Sequence, residues 1–108
     1  MSLSQETCIP CRGGGSTLTA PDVASLLREL PHWQVVEHHH LQRRWSFADF
    51  QAALHWINEA GAICEQQGHH ADFQLGWGYS EAVIYTHEVN GLTRADFVLA
   101  ARLDAITG

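Results

Sequence analysis

The chain has 108 residues, enough to enclose one hydrophobic core. Its 45% apolar and 17% charged content is an ordinary globular balance, and a net charge of −6 excludes a nucleic-acid surface built on clustered Lys and Arg, to which Arg43-Arg44 is the nearest approach. No apolar run reaches membrane-spanning length and the N-terminus lacks the basic-then-apolar order of a secretory signal, so no membrane partner is expected and the expected location is the cytoplasm.

Residues 1–17 read as a flexible Cys- and Gly-rich arm, and residues 18–108 as the folded domain. The arm carries Cys8 and Cys11 in a C-x-x-C pair. The cysteine count of three is odd, which argues against a full disulfide framework, and a zinc knuckle would need two further ligands at fixed spacing. Two reduced thiols, no metal and no cofactor are therefore expected.

Thr19 is placed to cap a first helix, with Pro21 in its first turn and Asp22 completing a Thr-x-x-Asp box. The pattern predicts a helix running to about Leu30, burying Val23, Leu26, Leu27 and Leu30, with Pro31 ending it. Trp33 to Glu37 and Leu41 to Phe47 alternate as two strands, with Trp33, Val35, Leu41, Trp45 and Phe47 inward. Between them lies His38-His39-His40. Successive strand side chains point to opposite faces, so three in a row cannot all converge on one ion, and a solvated hairpin turn is expected.

Ser46 with Asp49 marks a second helix start, and Phe50, Leu54, Ile57, Gly61 and Cys64 recur at helical spacing as its inward stripe. His55 and Trp56 fall off that stripe and are expected at a surface or interface. Gly68 is the stop. Phe73 to Trp77 and Glu81 to His87 form a second strand pair around a Gly-Trp-Gly turn, with Val83, Tyr85 and His87 on one face and Ala82, Ile84 and Thr86 on the other. Asn90-Gly91 marks a loop, and Thr93-x-x-Asp96 caps a last helix with Phe97, Ala100, Ala101 and Leu103 inward. The order α-β-β-α-β-β-α predicts an α+β domain, a four-stranded antiparallel sheet with helices packed on one face.

Three imidazoles then fall at element ends, His69 and His70 after the second helix and His87 after the last strand, with Glu65 and Asp96 nearby. Histidine exchanges protons near neutral pH, so this set suits general acid–base chemistry. For Asp96, helix capping is a sufficient structural reason by itself.

From Glu65 to Asp96 the spacing resembles the pterin-4a-carbinolamine dehydratase family. Its pattern is an acidic residue, three residues, His-His-Pro, an aromatic residue, a His and an Asp; here these are Glu65, His69, His70, Ala71 in the proline slot, Trp77, His87 and Asp96. The likeness extends from about Leu18 to Ile106. It implies catalytic roles for His69, His70, His87 and Glu65, pterin contacts for Phe73, Trp77 and Asp96, and a dimeric or tetrameric assembly, a homodimer being expected. Three positions depart from the pattern: Ala71 for proline, Phe73 where mammalian enzymes carry Trp, and Ala95 where they carry Arg.

The Cys-x-Pro-Cys-x-Gly-Gly arm, the Glu-x-x-Gly-His-His turn and the Gly-Leu-Thr-x-x-Asp-Phe-x-x-Ala-Ala ending resemble a branch of that family. The branch includes dehydratase-like proteins that assist Rubisco assembly in carboxysome-bearing autotrophs. It implies a largely non-catalytic assembly factor that holds Rubisco subunits and associates with carboxysomes. The alternative implied by the intact histidine spacing is an active 4a-hydroxytetrahydropterin dehydratase, with pterin as substrate.

Overall fold

The structure, a computed structural model, describes residues 3–6 and 17–106; Cys8 and Cys11 lie outside them. Its first regular helix, α1 (Ala20–Leu27), starts where Thr19 accepts the Asp22 N–H, with Pro at the helix start. It closes three residues earlier than the pattern predicts. Glu29 and Leu30 donate to carbonyls only three residues back, tightening the chain before Pro31.

Strands β1 (Gln34–Val36), β2 (His40–Ser46), β3 (Asp72–Gly76) and β4 (Tyr79–Ile84) form one antiparallel sheet in the order β1-β2-β4-β3. The predicted alternation sets its two faces: Leu41, Trp45, Ser80, Ala82 and Ile84 are buried, and the residues between them are not. β4 ends at Ile84. A single bridge between Thr86 and Gly91 continues the line, so His87 lies in a turn beyond the strand. The two-residue turn Trp77-Gly78 joins β3 to β4, with Gly78 at φ 77°. Across it, Tyr79 covers Gly76 so closely that a Cβ there would stand 2.0 Å from the ring.

The long helix α2 (Phe50–Gln67) begins one cap later than expected. Asp49 accepts the Ala52 N–H at 2.8 Å, because Ser46 is still paired in β2. Its buried stripe is also rotated from the predicted one. Ala53, Trp56, Ala60 and Cys64 face inward, whereas Phe50 and Leu54 are exposed at 44% and 37%. The reason is Trp56. Its ring lies 4.1 Å from that of Trp45 and meets Phe73 edge-on, filling the space between helix and sheet. The small Ala53 lets the helix close on β4, where the Ser80 hydroxyl donates to the Ala53 carbonyl at 3.0 Å.

The last helix, α3 (Arg94–Asp104), buries Phe97, Ala100 and Leu103 as predicted, and also Ala95, Asp96, Val98 and Leu99. It is covered on more than one side. The additional cover includes a short 3-10 turn at Leu3–Gln5, inside the segment read as an arm. Leu3 is buried in the core, the Glu6 carboxylate accepts two bonds from Arg94 at 2.6 and 2.8 Å, and the Glu6 carbonyl accepts from Arg102. Arg94 beside it holds the Glu6 carboxyl below its ordinary value of 4.5. A lowered pKa contributes stability above the unfolded value and loses it as pH falls through the folded one. The turn should therefore loosen on acidification, modestly because the pair is solvent-screened. NMR titration of the Glu6 amide should show this transition below its ordinary pKa, and Arg94→Ala should abolish the depression.

Candidate functional site

The end of α2 aims the paired histidines. Gly68 takes the left-handed conformation (φ 67°) that side chains resist, and its N–H closes on the Cys64 and Glu65 carbonyls. The His69 N–H follows onto the Cys64 carbonyl at 3.2 Å. This double closure turns the chain off the helix at a fixed angle. Gly68→Ala should cost about 1 kcal/mol, read as a shift in the denaturation midpoint, since a Cβ there is strained whatever the space around it.

Ala71, in the slot where proline was expected, packs against the core. Its backbone N–H, which proline would lack, favours the ionised form of the Cys64 thiol but less than burial opposes it. Burial pushes the Cys64 thiol up, so it stays neutral and serves as a packing group.

His69 is half-buried and enters a polar network sealed under α3. Its Nε2 meets Asp96 Oδ1 at 2.6 Å. The other oxygen, Oδ2, accepts the Thr86 hydroxyl and the Thr93 backbone N–H, each at 2.8 Å. The Thr86 and Thr93 hydroxyls pair at 2.9 Å. Asp96 is 0% exposed, so this carboxylate is satisfied wholly by protein groups. It both caps α3, as its position in the Thr-x-x-Asp box predicts, and orients an imidazole from 27 residues away. Because a carboxylate oxygen only accepts, Nε2 carries the proton and Nδ1 is the nitrogen that can exchange one with a bound molecule.

His70 repeats the arrangement at the surface, its Nε2 paired with Glu65 Oε2. The structure thus joins His69 to Asp96 and His70 to Glu65. His87 is exposed, one residue beyond Thr86, and its ring lies 4.2 Å from Tyr85. Phe73 is directed inward against Trp56, and Trp77 stands 75% exposed on the β3–β4 turn. Thr86 and Cys64 were not picked out as site residues by their spacing. Thr86 carried one signal, its alternation in register with Ala82 and Ile84, whose side chains are buried.

Each of the two carboxylate-held imidazoles leaves its Nδ1 as the nitrogen able to exchange a proton. Among the described residues no group of three His, Cys, Asp or Glu is set to hold a metal ion, and no helix is long and apolar enough to cross a membrane.

Comparison with known proteins shows the family. The profile of the family described as pterin 4 alpha carbinolamine dehydratase matches residues 16–106. A protein of Rubrobacter xylanophilus provisionally named pterin-4-alpha-carbinolamine dehydratase is 42% identical over 104 residues, covering 96% of this chain and 97% of that one. A Methylococcus capsulatus protein with the same provisional name is 39% identical over 106 residues, covering 97% and 93%. Among solved structures, a transcriptional coactivator/pterin dehydratase from Brucella melitensis superposes with a TM-score of 0.80 at 29% identity, covering 85% of this chain and 99% of its own. A pterin dehydratase-like protein described as a RuBisCO assembly factor in the alpha-carboxysome superposes with a TM-score of 0.61 at 23% identity, covering 70% and 89%, a likeness of fold alone.

Proposed function

Since the chain belongs to the pterin-4a-carbinolamine dehydratase family, we propose that it dehydrates a 4a-hydroxytetrahydropterin by histidine acid–base catalysis. The observation that carries this reading is the buried Asp96 carboxylate holding His69 Nε2 at 2.6 Å. Capping alone would need only the Thr93 N–H bond. The additional bond gives the imidazole a set orientation and tautomer, as acid–base work requires.

In the reaction the bond from C4a to its hydroxyl breaks, a proton joins the departing oxygen to give water, a proton leaves the neighbouring ring nitrogen, and a C=N bond forms. Hydroxide leaves poorly, so the donor must be in place when the bond opens. His69, held through Nε2 and carrying a second proton on Nδ1 as the imidazolium, supplies that proton, His70 stands beside it as an exposed relay to solvent, and His87 takes the ring-nitrogen proton. Phe73 backs the site from within the core, and Trp77, at the far end of β3, would meet a pterin only if it came from a second copy of the chain. A second copy of the chain, covering the exposed Phe50 and Leu54 of α2, would make the working unit a homodimer.

The test is turnover of chemically generated 4a-hydroxytetrahydropterin, followed by absorbance against the uncatalysed background. Rapid dehydration is expected. A rate equal to background, from protein whose fold is intact by circular dichroism, defeats the reading.

The departures at Ala71, Phe73 and Ala95 and the Cys-x-Pro-Cys arm favour a second reading, the largely non-catalytic Rubisco assembly factor associated with carboxysomes. It predicts capture of Rubisco subunits by the full chain together with background-level dehydration. Failure to capture either subunit counts against it.

A further inference from the structure

The His38-His39-His40 run forms a second histidine cluster in the loop between β1 and β2, where His39 packs on the same Tyr85 ring as His87. Glu37 and His38 take left-handed conformations (φ 52° and 55°), and Val36 and His40 pair across a three-residue loop. Strand alternation therefore does not govern His39. His38 turns away to the Leu18 carbonyl, while the other two rings come together, with Nδ1 of His39 and Nδ1 of His40 at 3.1 Å.

The rest of the site fixes His39. Its Nε2 lies 2.8 Å from Asn90 Oδ1, an oxygen that only accepts, so Nε2 carries the proton and Nδ1 presents its lone pair. Tyr85 packs against the ring at 4.5 Å. In the metal-free chain, His40 Nδ1–H donates across the gap. Two nitrogens bound to one cation at ~2.0–2.1 Å stand about 2.9 Å apart in square-planar cis geometry and about 3.3 Å apart in tetrahedral geometry. The observed 3.1 Å lies between these values. A cation displaces only the single His40 proton, which can move to Nε2. An outer carbonyl on the far nitrogen of a ligating imidazole is the usual support of such sites.

We propose that His39 and His40 chelate a divalent transition cation through their Nδ1 atoms, with Asn90 orienting His39. Water completes the coordination, which makes this an open, exchangeable site. It differs from the sequence expectation of no metal because two of the three rings, not all three, converge. Cation binding here does not require dehydratase activity, although Tyr85 packs against both His39 and His87.

The probe is Ni²⁺, titrated calorimetrically into the full chain carrying Cys8→Ser and Cys11→Ser so that the arm thiols do not compete. Saturable binding of one Ni²⁺ per chain is expected. His39→Gln and His40→Gln should each weaken it at least ~10-fold, while His55→Gln, remote on α2 beside Glu59, should bind like the parent. In NMR spectra of that parent, Ni²⁺ should broaden the His39 and His40 ring signals before those of His55. Parent-like binding by both His39→Gln and His40→Gln, first broadening at other histidines, or no saturable binding overturns the proposal.

Discussion

Asp96→Ala should lower the stability of the fold by about 3–5 kcal/mol, measured as a shift of the urea midpoint at constant slope. The loss comes from what the substitution leaves behind. The Thr93 N–H, the Thr86 hydroxyl and the His69 Nε2–H all lose their acceptor at a site with no solvent access. Each stranded donor costs about 1–3 kcal/mol, reduced where the small cavity admits water or a hydroxyl turns to a new partner, as Thr86 can toward Thr93. Loss of the cap adds to this. Asp96→Asn keeps the shape and one acceptor oxygen, so it should cost less and remain folded, but its amide cannot accept from all three donors. A loss below about 1 kcal/mol for the alanine variant would show that the network does not hold α3 in place.

His69→Gln should reduce the turnover number for 4a-hydroxytetrahydropterin dehydration by about 10²- to 10⁴-fold, with a much smaller change in KM. Glutamine still donates to Asp96 through its amide, so α3 keeps its cap partner, but it cannot trade a proton. Asp96→Asn tests the same link from the other side. It leaves the imidazole present but removes the carboxylate that selects its tautomer, and should produce a comparable fall in turnover number. His70→Gln should have a smaller effect, because His70 and its partner Glu65 are both exposed and water can replace either. Equal losses at His69 and His70 would contradict the greater weight given to the buried His69–Asp96 pair. Wild-type turnover in His69→Gln would remove His69 from the chemistry altogether.

One carboxylate, that of Asp96, serves both stability and orientation. A group bound on one oxygen by the helix start and on the other by His69 cannot drift without uncapping α3. Placement of the imidazole is thereby tied to global folding, where a loop residue would be free to wander.

The order of elements was legible in the amino-acid sequence because it rests on short-range physics. Alternation marked the four strands, Thr19 and Thr93 marked helix starts, and Gly68 marked a stop, each through contacts within a few residues. The histidine intervals were legible for the same reason, being counts along the chain. Which face of α2 is buried was not. Phe50 and Leu54 are as apolar as the residues that point inward, and only the stack of Trp45, Trp56 and Phe73 decides the rotation. Nor could spacing show that Asp96 meets His69, that Thr86 completes the network, or that His39 and His40 converge, because those contacts depend on a helix, a strand and two turns arriving together. Local patterns specify elements, whereas the pairing of polar groups far apart in sequence is decided by packing, since a buried donor or acceptor must take its partner from whatever the fold brings within reach.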